Sequence, residues 1–176
     1  MLSQLEVAGA GPFVHGAPDL QQFAVKLFDT FRDMSFDGVG ISRETYGAAE
    51  TAAMEVIARV SREHGFAVKW DAARNLIVRL AGRDASLPAV ATGSHLDSVP
   101  QGGNFDGAAG VIASLMGLIA AQRRGRTLRD VELYVLRGEE SAWYGGPCYF
   151  GSRSLFGQLT PEDFRTMHRS SGQNLE

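Results

Sequence analysis

Residues 88–98 read PAVATGSHLDS, a short apolar run that ends at a glycine and then presents a histidine and an aspartate. The first part, residues 88–92, predicts a buried central β-strand, because it is apolar and too short for a helix. A glycine-rich loop over residues 93–107 leads into an apolar helix predicted at 108–124. The run VELYVL at residues 131–136 predicts another strand. This strand–helix–strand order indicates a parallel pair in an α/β sheet.

Two helices and a hairpin are predicted upstream of this unit. Pro18-Asp19 opens a helical pattern with aromatic and leucine side chains on one face. A second, alanine-rich helix is predicted from about residue 43 to 64, where a glycine follows it. The apolar runs at 66–70 and 75–80 surround a polar turn and predict a β-hairpin.

The end of the chain predicts one more helix. The motif TPED, starting at residue 160, is a typical helix-capping sequence, and His168 is expected on the surface of the helix that follows. Residues 1–17 are expected to be loosely ordered and residues 169–176 to form a frayed tail. These boundaries leave 18–168 as the folded domain.

Composition excludes several classes of protein. A chain of 176 residues that is 44% hydrophobic fits one globular domain, and a net charge of −3 gives no reason to expect a nucleic acid or membrane partner. The single cysteine, Cys148, cannot form an internal disulfide and fits a reducing compartment. No apolar run approaches the ~20 residues of a membrane helix, and the first residues do not resemble a secretory signal. We therefore expect a cytoplasmic protein.

His95 and Asp97 form the first candidate group for chemistry. Residues two apart in an extended segment project to the same side, so Asp97 can accept the spare ring N–H of His95. Such a bond fixes the tautomer of a metal-binding histidine. The alternative is a loop histidine beside an aspartate that caps the backbone.

Asp106 is the second candidate, at the predicted start of a helix. An aspartate at this position is commonly an N-cap, and that alternative needs no metal. The functional interpretation is a carboxylate that bridges two metal ions, as in two-metal hydrolytic sites. Neighbouring glycines would let the backbone approach the ions closely.

Glu139 and Glu140, the acidic pair, follow the second predicted strand. They are either an exposed acidic turn or a functional pair whose side chains point to opposite sides of the chain. In the second case one glutamate binds a metal and the other acts as a general base. All these candidates lie at the carboxyl ends of strands, where ligands bind in open α/β sheets.

Four motifs together resemble a known family: GSHLDSVP at 93–100, GGNFDG at 102–107, EES at 139–141 and GSR at 151–153. Their order and spacing are similar to those of the M20 metallopeptidase/amidohydrolase superfamily. The resemblance is closest to its hydantoinase/carbamoylase branch, which includes N-carbamoyl-L-amino-acid hydrolases, allantoate amidohydrolases and β-ureidopropionases. It implies a three-layer αβα catalytic domain of the zinc-exopeptidase kind.

The resemblance also implies roles for individual residues. His95 would bind one metal, Asp106 would bridge two, and Glu140 would bind the second. Glu139 would be the general base and Asp97 the partner of His95. The cofactors would be two divalent metal ions, Zn²⁺ or Mn²⁺, with Co²⁺ or Ni²⁺ as further candidates. A strained or cis peptide bond is expected between Asp106 and Gly107.

The implied activity is hydrolysis of a non-peptide C–N bond in a small ureido or carbamoyl acid by a water that two metals activate. Members of this branch are much longer, so we expect only the N-terminal part of the catalytic domain here. The lid domain with its homodimer contacts and two further histidine ligands would then be absent. An apolar strand edge at 88–92 or 131–136 should be uncovered, and the chain should self-associate.

Two alternatives to the carbamoylase-type activity stay open. One is an aminoacylase or dipeptidase of the same superfamily. The other is a catalytically inactive truncated fragment that at most binds metal or another protein.

Overall fold

The computed structural model describes residues 18–176. The N-terminal segment 1–17, predicted to be loosely ordered, lies outside the described residues. The helices are α1 (Pro18–Ser35), α2 (Ala48–Glu63), α3 (Ala108–Arg123), α4 (Phe150–Leu155) and α5 (Pro161–Arg165). The strands are β1 (Ala67–Trp70), β2 (Leu76–Leu80), β3 (Val90–His95) and β4 (Val131–Leu136).

The four strands form one mixed sheet in the order β1-β2-β4-β3. The predicted hairpin is confirmed, since β1 and β2 pair antiparallel. The predicted parallel pair is also confirmed, since β3 and β4 run side by side from Val90↔Val131 to His95↔Leu136. This register places the carboxyl ends of β3 and β4 side by side at one end of the sheet.

Helices α2 and α3 pack against the sheet, and α1 packs on both of these helices. Strand β4 contributes Leu133 and Val135, which are completely buried, while Glu132 and Tyr134 alternate with them on the opposite face. Helix α3 is apolar on most sides, as predicted, because it lies between the sheet and α1. Within residues 18–176, no helix combines the length and the hydrophobicity that a membrane span needs.

Helix α2 begins later than the predicted residue 43. Arg43 is extended instead: its N–H donates to Ser98 Oγ at 2.9 Å, and its carbonyl accepts from the Ser98 N–H at 3.0 Å. Tyr46 then adopts a positive φ of 58°, and Gly47 is the N-cap of α2. The sequence pattern misled because this pairing involves residues far away in the chain.

Strand β3 was predicted to be central, and this prediction is wrong. The interior strand is β4, because the β1–β2 hairpin occupies its other side. Among the described residues β3 has a strand neighbour on one side only, and Val90 is 49% exposed. The predicted uncovered edge is thus the one formed by β3. An apolar groove of about 550 Å³ lies beside it, lined by residues that include Ala91, Leu155 and Phe156.

The last helix is short and ends at Arg165. It begins with the predicted capping box, in which the Thr160 hydroxyl and the Asp163 carboxylate each bind the other residue's backbone N–H. The chain then folds back, since the Arg169 N–H donates to the Trp143 carbonyl at 2.7 Å. Asp163 also accepts a bidentate bond from Arg153, which lowers the pKa of the Asp163 carboxyl to about 2.

The free edge of β3 predicts self-association through strand pairing, because edge strands expose unpaired N–H and C=O groups. Ala91→Lys places a charge in the middle of this edge and should raise the monomer fraction in sedimentation velocity at micromolar concentration. Ala85→Lys, an equal charge on an exposed loop residue, is the matched control. A wild-type chain that sediments as a monodisperse monomer would contradict the prediction.

Candidate metal centre

The parallel pairing of β3 and β4 places the candidate residues together. His95 is the last residue of β3 and lies opposite Leu136, the last residue of β4. The acidic pair follows three residues after Leu136, and Asp106 lies at the end of the loop between β3 and α3. The topology therefore delivers three separate segments to one edge of the sheet, as the sequence predicted.

The three predicted metal ligands lie close together. One ligand atom from each of His95, Asp106 and Glu140 falls within 4.8 Å of the other two. His95 and Glu140 are half-buried and Asp106 is exposed, so the group is accessible to solvent. A histidine with two carboxylates is a donor set that suits Zn²⁺, Mn²⁺ and similar divalent ions. These residues form a candidate metal-binding triad.

His95 is oriented by Asp97, as predicted. Its Nδ1 lies 3.1 Å from Asp97 Oδ1 and 3.0 Å from the Asp97 carbonyl, which leaves Nε2 as the nitrogen for a metal. Burial lowers the pKa of His95, but the bond to Asp97 and the charges of Asp97 and Glu140 outweigh it and raise this pKa to about 9. A metal must therefore displace a proton when it binds here.

Asp97 does more than the sequence indicated. Its side chain is completely buried, and Oδ2 accepts from the Thr45 hydroxyl at 2.6 Å and from the Glu140 N–H at 2.9 Å. Oδ1 accepts from the Glu139 N–H at 3.1 Å in addition to His95. Burial raises the pKa of Asp97, yet these donors hold it below its usual value. The Asp97 carboxylate thus links the end of β3 to the segment that follows β4.

A strained or cis bond was expected between Asp106 and Gly107, and the cis form is wrong, because all peptide bonds in residues 18–176 are trans. The chain turns instead through a positive φ of 63° at Gly107. A Cβ at Gly107 would lie 2.6 Å from the ring of His95, so only glycine permits this close approach. The expectation from the sequence concerned approach of the backbone to metal ions, whereas the contact that requires glycine here is with the His95 ring.

The alternatives to a functional site receive little support from the geometry. Gly107, not Asp106, is the N-cap of α3, and no side chain caps this helix. The acidic pair is half-buried rather than an exposed turn. Burial and the charges of Asp97 and Asp106 raise the pKa of Glu140. The charge of His95 lowers this pKa but does not cancel the increase.

Glu139 is held by a residue to which the sequence assigned no role. Ser152, in the first turn of α4, donates its N–H to Glu139 Oε1 at 2.8 Å and its hydroxyl to Oε2 at 2.7 Å. Glu139 and Glu140 therefore have separate surroundings, as expected for adjacent residues. The GSR motif at 151–153 was the available signal, but the sequence alone does not connect it with Glu139.

His168 was expected on the surface of the last helix, and this prediction is wrong. The helix ends before it, and the imidazole is 5% exposed. Its ring stacks on Trp143 with centroids 5.7 Å apart and an interplanar angle of 7°. Trp143 in turn donates its ring N–H to the Ser98 carbonyl at 2.6 Å. His168 therefore packs behind the site, and it is not among the triad of candidate ligands.

A mixed α/β sheet with a histidine–carboxylate triad at its strand ends defines a protein of the metallopeptidase-like class. The model for peptidase family M28 matches residues 75–165, just over half of the chain, and the chain belongs to this family. The sequence motifs resemble those of the M20 superfamily, whereas the family model that matches the chain is that of peptidase family M28. The relatives nevertheless confirm the branch that the motifs indicated.

An N-carbamoyl-L-amino-acid amidohydrolase from Paenarthrobacter aurescens is 32% identical over 80% of this chain and 34% of its own length. A ureidoglycolate hydrolase from Oryza sativa subsp. japonica is 32% identical over 85% of this chain and 30% of its own length. A solved hydantoinase/carbamoylase family amidase from Burkholderia ambifaria superposes with a TM-score of 0.74 at 30% identity, over 86% of this chain and 38% of that one. The fold class is thereby confirmed. The chain spans about a third of the length of the curated relatives it matches.

The central position of Asp97 predicts a large effect of its replacement. In the wild type both Asp97 oxygens accept hydrogen bonds, and Asp97→Asn replaces one of them with an amide N–H₂ group that faces donors. The substitution should therefore lower the free energy of unfolding, measured by urea titration, by about 2–4 kcal/mol. Asp33→Asn removes the same charge from an exposed position on α1 and should change stability by less than about 0.5 kcal/mol. Equal stability of the two variants would contradict the role assigned to Asp97.

Proposed function

We propose that this chain binds divalent metal through His95, Asp106 and Glu140 and takes part in hydrolysis of the C–N bond of a ureido or carbamoyl acid. The observation that carries this proposal is the convergence of the three ligand atoms within 4.8 Å, beside a glutamate held by its own hydrogen bonds. The relatives named N-carbamoyl-L-amino-acid amidohydrolase and ureidoglycolate hydrolase support the substrate class.

The residues divide the work as follows. His95 presents Nε2, because Asp97 occupies Nδ1, and Asp106 and Glu140 supply carboxylate oxygens. A metal held by these three residues would supply Lewis-acid chemistry, which in zinc enzymes lowers the pKa of water from ~15.7 to about 7. Glu139 accepts the proton of the attacking water, a role that typically contributes ~10²–10⁴-fold to the rate. Ser152 keeps the Glu139 carboxylate in one orientation.

The proposal includes two ions, Zn²⁺ or Mn²⁺, with Asp106 as the shared ligand. Catalytic zinc sites usually have three protein ligands, and the triad alone can complete one such set. Binding stoichiometry therefore decides between one ion and two. The cytoplasmic location remains a prediction, as does the absence from this chain of the lid-domain contacts that form the family homodimer.

The metal proposal predicts that Zn²⁺ or Mn²⁺ binds to the purified chain and releases protons, measured by calorimetry in buffers of different ionisation enthalpy. His95→Ala removes a ligand and should weaken metal affinity by at least ~10-fold. Even residues that only hydrogen-bond to metal ligands typically change affinity by this much when they are replaced. His64→Gln is the matched control, because His64 packs on Phe23 and Phe66 instead. Binding unaffected by His95→Ala would contradict the site.

The substrate proposal predicts ammonia release from N-carbamoyl amino acids, allantoate or ureidoglycolate at saturating metal, with no turnover of N-acyl amino acids or dipeptides. Glu139→Gln should lower kcat by ~10²–10⁴-fold and leave metal affinity unchanged, because Glu139 is assigned as a base and not as a ligand. Turnover of dipeptides alone would favour the aminoacylase or dipeptidase alternative. Metal binding without any turnover would favour a metal-binding module.

A further inference from the structure

Three successive backbone N–H groups after β4 donate to buried carboxylates. The Gly138 N–H donates to Glu50 Oε1 at 2.9 Å, while those of Glu139 and Glu140 donate to the two oxygens of Asp97. Where a chain leaves a strand, its backbone N–H groups normally donate to water or to another strand. Here the start of the acidic pair is held on one side by Asp97 and on the other by Glu50.

Glu50 is well placed to act as a fixed point. It lies in the first turn of α2, its side chain is 0% exposed, and it is not part of the candidate triad. Its second oxygen accepts from the Tyr46 N–H at 2.6 Å and from Arg137 Nε at 2.9 Å. One carboxylate therefore joins the segment before α2, the end of β4 and the turn that leads to the acidic pair.

Arg137, the cationic partner of Glu50, is itself fixed. Its Nη2 donates to the Thr51 hydroxyl, its guanidinium lies 4.9 Å from the centre of the Tyr46 ring, and its side chain is 7% exposed. Its backbone N–H donates to Asn75 Oδ1 at 2.9 Å. Every contact of this arginine is internal, so the pair is a rigid link between α2 and β4 and not a surface ion pair.

The turn held by Glu50 has little freedom to adjust. Gly138 has a positive φ of 68°, and a Cβ there would lie 2.8 Å from the Tyr46 ring. A buried ion pair contributes little net stability, because the loss of hydration offsets the attraction between the charges. The arrangement is therefore better explained by the geometry that it imposes on the turn than by stabilisation of the fold.

We propose that Glu50 is a positioning residue for the metal centre: paired with Arg137, it fixes the Gly138 turn so that Glu140 reaches His95 and Asp106. The effect on metal affinity rests on the proposed function, whereas the effect on the turn does not. An experiment with one readout for each keeps the two separate.

The first readout is amide hydrogen exchange in the metal-free chain. Glu50→Gln replaces one accepting oxygen with an N–H₂ group, which can only donate, so the side chain can no longer accept from both Gly138 and Arg137. Exchange of the amides of residues 138–140 should therefore become at least ~10-fold faster. Amides of Leu133 and Val135 in the middle of β4 should keep their protection. Unchanged exchange at residues 138–140 overturns the proposal.

The second readout is affinity for Co²⁺, followed by its visible absorption. Glu50→Gln should raise the Kd by ~10-fold, in the range typical of residues that support metal ligands. A wild-type chain that binds no Co²⁺ contradicts the proposed function, and the exchange experiment then decides the positioning role by itself. A wild-type chain that binds Co²⁺ with the same Kd as Glu50→Gln overturns the proposed effect on the site.

Two controls on the same helix separate positioning from loss of charge and from loss of stability. Glu55→Gln removes a charge from an exposed position, and Ile57→Val weakens the core without touching Glu50 or Arg137. Both should retain wild-type Kd and wild-type exchange at residues 138–140. If Ile57→Val weakens Co²⁺ binding as much as Glu50→Gln does, Glu50 acts only through stability and the proposal fails.

Glu50→Asp covers the case in which Glu50→Gln does not fold. The shorter side chain keeps the charge but cannot reach Gly138, Tyr46 and Arg137 at the same time. Faster exchange at residues 138–140 is again expected, and wild-type exchange overturns the proposal.

Discussion

The carboxylate of Asp97 is the interaction on which the rest of this site depends. Asp97 lies two residues after the end of β3. Its two carboxylate oxygens accept hydrogen bonds from the imidazole of His95, the hydroxyl of Thr45 and the backbone N–H groups of the acidic pair. A buried carboxylate is stable only when donors surround it, and here the donors are the parts that must be held in place. The requirement to satisfy one charge thereby sets the relative position of the ends of β3 and β4.

The sequence predicted the elements whose information is local. Helix α3, the hairpin and the strands of the parallel pair follow from apolar runs bounded by glycine and polar residues, and the ends of that pair gave the triad. What it missed depends on contacts between distant residues. The pairing of Arg43 with Ser98 delays the start of α2, and the antiparallel pairing of β2 with β4 makes β3 an edge. Neither pairing leaves a trace in the local pattern.

The same distinction explains which site residues were found. His95, Asp106 and Glu140 occur in motifs that indicate metal binding when they are taken together, although each residue has an ordinary explanation alone. Ser152 lies in the GSR motif and Glu50 in none of the motifs, and neither residue type indicates which group the side chain will bind. Glu50 and Arg137 are 87 residues apart, and only the folded chain shows that they meet. Residues that support a site are therefore harder to predict than residues that perform its chemistry.

The balance of charge around the centre bears on why a cation belongs there. Carboxylates of Asp97, Asp106 and Glu140 converge on one imidazole. Burial, together with the charges of Asp97 and Asp106, raises the pKa of Glu140 against the opposing charge of His95. The protonated imidazole of His95 offsets one negative charge, with a pKa raised to about 9. A divalent ion that displaced this proton would bring two positive charges in exchange for one and would reduce the repulsion that Glu140 experiences. The electrostatics of the folded chain thus favour the same occupant that its donor atoms suit.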